Sequence, residues 1–161
     1  SPFAMFADDI KLYNTCSNYN TLVQNLQAIY NWSQAWILPV NVEKCVTIHV
    51  SSKNPRLVYL LATRSTEMHN DSGVLITNNF SWLDHVVSVT KRANRKLYIL
   101  SKVFSKPNHL VFAKLFKTYV RPILEFVNSA WTPVLQKDIL LLETVQRKAS
   151  RIPFDKRRPS Y

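Results

Sequence analysis

Asp8 and Asp9 stand side by side near the start of the chain, between an apolar run over residues 2–7 and the segment Ile10-Lys11-Leu12-Tyr13. Two adjacent carboxylates at a hairpin tip repel one another, and a divalent cation makes the arrangement tolerable by neutralising them. Mg²⁺ takes hard oxygen ligands and is commonly held by one or two carboxylates together with substrate phosphates. A nucleotidyl transferase places two such ions about 4 Å apart, to activate a primer 3′-hydroxyl and to stabilise the leaving pyrophosphate. Taken by itself, an Asp-Asp pair is more often an ordinary acidic turn. The flanks weigh against that here. An apolar strand enters, Phe6-Ala7 precede the pair, a second strand leaves, and a surface turn does not need buried strands on both sides.

Little other chemistry can be written into these 161 residues. With 1 Gly in the chain, no Gly-rich phosphate loop is possible. Cys16 and Cys45 are far apart and in no CxxC pair, so no disulfide framework or zinc site follows. His49, His69, His85 and His109 lack metal-ligand spacing and are read as structural or surface residues. The 47% hydrophobic and 19% charged composition is globular rather than disordered. The net charge of +11 favours a polyanionic partner, because each cation near a phosphate backbone releases a condensed counterion. No apolar run approaches the roughly 18 residues that span a bilayer, and no signal peptide is seen. The expectation is an intracellular protein without a membrane, nuclear or cytoplasmic. Ser1-Pro2-Phe3 and the basic stretch before Tyr161 read as cut ends of a longer polypeptide.

The elements that must position the acidic pair come next. Residues 2–13 predict a β-hairpin whose tight turn carries Asp8 and Asp9. Asn18 to Trp36 predicts a helix, with Leu22, Leu26, Ile29 and Trp36 on one face, Asn18 as N-cap and Pro39 as the stop. Cys45–Val50, Leu57–Leu61 and Gly73–Ile76 predict strands, and Ala62–Ser72 a connecting loop. After about residue 80 the period turns helical. One seam is Ala93, Leu97, Leu100 and Phe104, broken by Lys106-Pro107. A second is Val111, Leu115, Phe116 and Tyr119, interrupted by Pro122. A short apolar continuation runs from Ile123 to Trp131, and a last helix over residues 137–151 carries Leu142, Val145, Ala149 and Ile152. The fold class is therefore α+β, with strands and one helix over residues 1–80 and helices alone over residues 81–161.

Basic residues form stripes on those helices. Lys91, Arg95 and Lys102 follow one face, Lys114, Lys117 and Arg121 another, and Arg147, Lys148 and Arg151 a third, followed by Lys156, Arg157 and Arg158. Any one stripe by itself reads as a solvated helix face. Acidic partners at i+4 are mostly lacking, however, and three uncompensated stripes on successive helices suit contact with a nucleic-acid backbone. The aromatics Trp32, Trp36, Phe104, Phe112, Phe116, Tyr119 and Trp131 are expected in the core rather than as stacking platforms.

Phe6-Ala7-Asp8-Asp9-Ile10-Lys11-Leu12-Tyr13 resembles the C motif (FADD-x-KLY) of reverse transcriptases from non-LTR, LINE-type retrotransposons, especially the jockey-like and chicken-repeat-like group. The resemblance continues in order. Asn31-Trp32-Ser33-Gln34-Ala35-Trp36 and Asn41-Val42-Glu43-Lys44-Cys45 resemble the family's helix and D motif. Asp71-Ser72-Gly73-Val74-Leu75-Ile76 resembles its E region, with Ser72 where the family usually has Leu. Lys91-Arg92-Ala93-Asn94-Arg95, Tyr119-Val120-Arg121-Pro122-Ile123-Leu124-Glu125-Phe126, Ala130-Trp131-Thr132-Pro133 and Leu142-Glu143-Thr144-Val145-Gln146-Arg147 resemble the thumb-side blocks.

The resemblance implies the end of a polymerase palm over residues 1–80, an antiparallel hairpin sheet with one packed helix, followed by a helical thumb-like bundle over residues 81–161. It implies Asp8 as a metal ligand with Asp9 as its neighbour, both serving Mg²⁺. It implies Lys44 near the incoming triphosphate, where a cation offsets charge on the leaving group, although a solvated turn lysine is the alternative. Gly73 would form the tight bend of the primer-grip hairpin, while Asn41 shapes a turn. The implied partners are an RNA template, a DNA primer, deoxynucleoside triphosphates, and the fingers and motif A of the same polymerase. Since motif A and its carboxylate do not lie in residues 1–161, the expectation is an RNA-directed DNA polymerase fragment that is inactive alone. Two other readings stand: a non-catalytic basic nucleic-acid-binding relic, and a helical interaction domain with incidental charge.

Overall fold

The computed structural model describes residues 2–15, 18–59, 61, 64–104 and 108–154. Cys16, the Lys106-Pro107 breaker and the Lys156, Arg157 and Arg158 cluster lie outside the described residues. The fold is α+β, as the change of period predicts. It divides into two compact units, residues 1–69 with 77–80, and residues 70–76 with 81–161.

In the first unit, β1 (Phe3–Phe6) and β2 (Asp9–Leu12) form an antiparallel hairpin in the register Phe3↔Leu12, Met5↔Ile10 and Phe6↔Asp9. Opposed residues share a face, so Phe3, Met5, Ile10 and Leu12 make one apolar side. That side is not covered: Phe3 and Met5 are each 66% exposed. The buried strands expected on either side of the acidic pair are thus open strands.

Helix α1 (Tyr19–Ala35) contains no Gly or Pro, and Leu22, Leu26 and Ile29 are half-buried at helical spacing. Two expectations for α1 fail. Asn18 makes no side-chain cap; its carbonyl accepts from the Asn14 carboxamide instead. Trp36 lies just past the helix and is 68% exposed, and the fully buried position on this face is Ser33, whose hydroxyl donates to Tyr30 O. The chain leaves α1 by a Schellman motif. Leu38 N–H donates to Ser33 O and Ile37 N–H to Gln34 O, with Ile37 at φ 55° where glycine is usual. A β-branched residue there is strained by about 1–2 kcal/mol.

A 3₁₀ turn (Val42–Lys44) leads into β3 (Val46–Ile48), which pairs in parallel with β4 (Arg64–Thr66). Strand β5 (Met68–Asp71) then turns into β6 (Val74–Thr77). Residues 62–72, expected as a loop, therefore hold β4 and β5, while the described residues of 57–61 show an isolated bridge at Tyr59 and no strand. Polar, exposed edge strands such as Arg64-Ser65-Thr66 lack the alternation that marks a half-buried strand. The described strands form three separate two-stranded sheets, one of them parallel, in place of the single antiparallel sheet expected.

The second unit holds the core. Among the described residues Leu61 is the only fully buried apolar side chain of the first unit, and all the others lie in the second. Helix α2 (Leu83–Val103) is its spine. Its Val86 and Val89 pack with Val74 and Trp131, and its Ala93 and Leu97 pack with Phe112, Val120, Val145 and Ala149. The partners come from α3 (His109–Tyr119), the short α4 (Arg121–Leu124) and α5 (Gln136–Arg151). The α5 seam is as predicted, with Val145 and Ala149 buried and Leu142 and Ile152 packed beside them. On α3 the seam is shifted by one residue: Phe112 and Val120 are buried, whereas Val111 and Tyr119 are exposed. Of the aromatics assigned to the core, Phe112 and Trp131 are buried, but Trp32, Trp36, Phe104 and Tyr119 are exposed.

His85 is buried in this core, edge-on to Trp131 at a ring-centroid distance of 4.4 Å. Its Nδ1 accepts from Leu75 N–H at 3.1 Å, which ties β6 to α2. Burial pushes its pKa below the ordinary 6.5, and the Arg92 guanidinium lowers it further. A proton therefore favours the unfolded chain, so His85 lowers stability as pH falls below about 6.5 and stops doing so below its folded pKa. Urea unfolding at a series of pH values should show this decline. In His85→Asn, whose carboxamide oxygen can still accept from Leu75 but cannot titrate, the decline between about pH 7 and pH 5 should flatten.

Candidate metal and nucleic-acid sites

The hairpin loop is two residues long, Ala7 and Asp8, and Asp9 is the first residue of β2, paired with Phe6. The turn thus carries Asp8 alone, with Asp9 fixed by the ladder beside it, a correction to the placement of both in the turn. Ala7 takes φ 52°, a left-handed conformation that costs a non-glycine residue about 1 kcal/mol or more. Strain of this kind persists where the surroundings impose it, here the tightest possible hairpin return. Both aspartates are exposed.

Asp8 and Asp9 offer hard oxygens, which suits Mg²⁺, an ion that keeps several waters and takes one or two carboxylates. Among the described residues no group of three or more His, Cys, Asp or Glu side chains is clustered to hold a metal. The pair fits as part of a site that needs further oxygen ligands.

Lys44 closes the 3₁₀ turn and is exposed. Its backbone N–H donates to both the carbonyl and the side-chain oxygen of Asn41, at 3.1 and 3.3 Å, so Asn41 does shape this turn. The neighbouring Cys45 thiol donates to Asn41 O, and burial pushes its pKa up, which disfavours the thiolate.

Gly73 belongs to the second unit. It sits with Ser72 in the β5–β6 loop, where both residues have positive φ, 51° for Ser72 and 92° for Gly73. Two consecutive left-handed residues are the requirement of a type I′ hairpin. Asn70 steadies the loop, its Oδ1 accepting from Gly73 N–H at 3.0 Å. A Cβ at Gly73 would also lie 3.0 Å from the Phe126 ring edge. Ser72, exposed at the bend, leaves the packing to Val74.

The eight cations assigned to nucleic-acid contact are all exposed. Lys91, Arg95 and Lys102 lie on α2 opposite its buried seam, and none makes an ion pair among the described residues. Lys114 and Lys117 lie on α3 opposite Phe112. Arg121 starts the separate helix α4, so its stripe is interrupted at Val120, and it is paired with Glu125 at 2.7 Å. Arg147 is paired with Glu143 at 2.7 Å, while Arg151 ends α5. Acidic partners four residues away therefore do exist for two of the cations, Glu125 after Arg121 and Glu143 before Arg147. Such exposed pairs contribute little, about 0.3–0.5 kcal/mol, and leave both arginines able to exchange a glutamate for a phosphate. Two residues were not singled out from the sequence. Tyr98 is an exposed ring within the α2 stripe, with Lys102 Nζ 5.5 Å from its centroid. Asp138 is buried in the first turn of α5 with one carboxylate oxygen unpartnered.

In comparisons with known proteins, no family model, no curated protein and no solved structure matches the chain. No helix among the described residues is long and apolar enough to cross a membrane.

The glycine geometry gives a direct check. Gly73→Ala should lower the unfolding free energy by about 1–2 kcal/mol, mostly from the left-handed backbone and partly from displacing Phe126. A denaturation midpoint unchanged from the parent would contradict it.

Proposed function

We propose that this chain is part of an RNA-directed DNA polymerase, with palm elements in its strand-bearing unit and a thumb in its helical unit. The observation that carries the reading is the β1–β2 hairpin, which holds Asp8 in a two-residue return and Asp9 beside it at the start of β2, with an ordered strand on each side. Asp8 is the metal ligand and Asp9 its neighbour. Lys44 stands toward the triphosphate, and Gly73 forms the bend of the primer-grip hairpin. The cations Lys91, Arg95, Lys102, Lys114, Lys117, Arg121, Arg147 and Arg151 hold the RNA template and DNA primer by backbone contacts that carry no sequence preference.

Mg²⁺, when bound, supplies charge neutralisation at the triphosphate and lowers the pKa of the attacking hydroxyl. What these residues do is provide two of the oxygens for it. A third carboxylate is required to bridge two ions, and the polymerase completes its site with motif A outside residues 1–161. Hence these residues alone do not extend a primer.

A second reading, a basic nucleic-acid-binding relic without catalysis, is favoured by the lack of any three-residue metal cluster among the described residues. Paramagnetic broadening by Mn²⁺, competed by Mg²⁺, separates the two. The polymerase reading expects broadening centred on the amides of residues 7–10, with millimolar affinity, and its loss in both Asp8→Asn and Asp9→Asn. Broadening centred elsewhere, or unchanged by those substitutions, removes the support for metal chemistry at the hairpin.

A further inference from the structure

We propose that the outward face of α2 binds single-stranded polynucleotide, with Tyr98 as a base-stacking platform inside a row of phosphate-binding cations. The proposal rests on the nucleic-acid part of the function above and not on its metal chemistry.

The residues Lys91, Arg95, Tyr98 and Lys102 follow one another at i, i+4, i+7 and i+11 on α2. At 100° per residue they fall within about 60° of one another, on the side away from Val86, Val89, Ala93 and Leu97. The ring is 62% exposed, and Ile99 beside it is exposed as well. A tyrosine with nothing to bury it usually keeps its ring against a neighbouring apolar surface, yet this one stands among three cations that make no ion pair among the described residues. Lys102 Nζ lies over one face of the ring, 5.5 Å from its centroid, a cation–π contact that a stacking base would have to share or displace. The one acidic residue on the same face, Asp84, sits in the first turn of α2, two turns before Lys91, where the helix dipole favours it. The row spans about 16 Å of helix axis, enough for its three cations to meet successive phosphates of one strand.

Single strands are selected over duplexes by the ring. In a duplex both faces of each base are already stacked, so a protein ring gains nothing unless a base is first unstacked. In a single strand the π-face is available, and stacking combined with backbone cations is how sequence-tolerant single-strand sites work. A duplex could use Lys91, Arg95 and Lys102 but would leave Tyr98 idle.

The test is fluorescence anisotropy on the full chain, with a labelled oligothymidylate and a duplex of equal length, in EDTA so that the state of the metal site is irrelevant. Tyr98→Ala should weaken single-strand binding about tenfold or more while leaving duplex binding within twofold, and Tyr98→Phe should keep both. Because the ring is exposed, circular dichroism and the thermal midpoint should be unchanged in either variant. The proposal is overturned by a single-strand affinity that Tyr98→Ala leaves intact, or by equal losses on both probes.

Discussion

Burial of one side of α2 is the interaction on which the rest of the molecule depends. Its Val86 and Val89 meet Val74 and Trp131, and one turn further Ala93 and Leu97 meet Phe112, Val120, Val145 and Ala149. The half-buried Ile123 and Leu124 of α4 touch both groups, so the two clusters are joined through it. With that seam inside, the helix period leaves no choice about the opposite side: Lys91, Arg95, Tyr98 and Lys102 must face water. The chemistry open to the helical unit is set by the packing beneath it.

The two units stand on different physical footings. The helical unit excludes water from a contiguous set of branched and aromatic side chains. The strand-bearing unit buries Leu61 and a few polar groups, among them Ser33 and His49, and leaves Phe3, Met5, Trp36, Ile37 and Leu38 in contact with solvent. Ile37, 87% exposed in a left-handed cap, adds strain to an already uncovered surface. A unit with so little buried apolar area gains little hydrophobic stabilisation to set against chain entropy. That imbalance agrees with the proposal that the acidic hairpin works as part of a larger palm.

Much of the fold is legible in the sequence where a single period governs burial. The α5 seam of Leu142, Val145, Ala149 and Ile152 and the acidic hairpin follow from spacing alone, since both are local. Features set by distant partners are not legible. The parallel pairing of β3 with β4 joins residues far apart in sequence, and neither strand alternates strongly enough to announce it. The α3 seam differs by one residue from the expected one because Val111 and Phe112 are equally apolar, and only the approach of α2 decides that Phe112 turns inward. The left-handed Ala7 and Ile37 give no signal, because glycine, the residue that would mark them, is absent there. In the proposed site, Asp8, Asp9, Lys44 and Gly73 are visible by motif. Tyr98 is not, because a lone tyrosine on a polar helix face belongs to no motif.

The outward side of α2, fixed by the seam beneath it, is proposed as a surface for binding a nucleic-acid backbone. It is tested most directly by the salt dependence of RNA binding in the parent chain and in a variant with Lys91, Arg95 and Lys102 replaced by Ala. The account predicts affinity that falls steeply with salt, and a log–log slope shallower by roughly 2 in the variant, about 0.7 for each single-strand phosphate that the three cations no longer neutralise. An unchanged slope with unchanged affinity would contradict it.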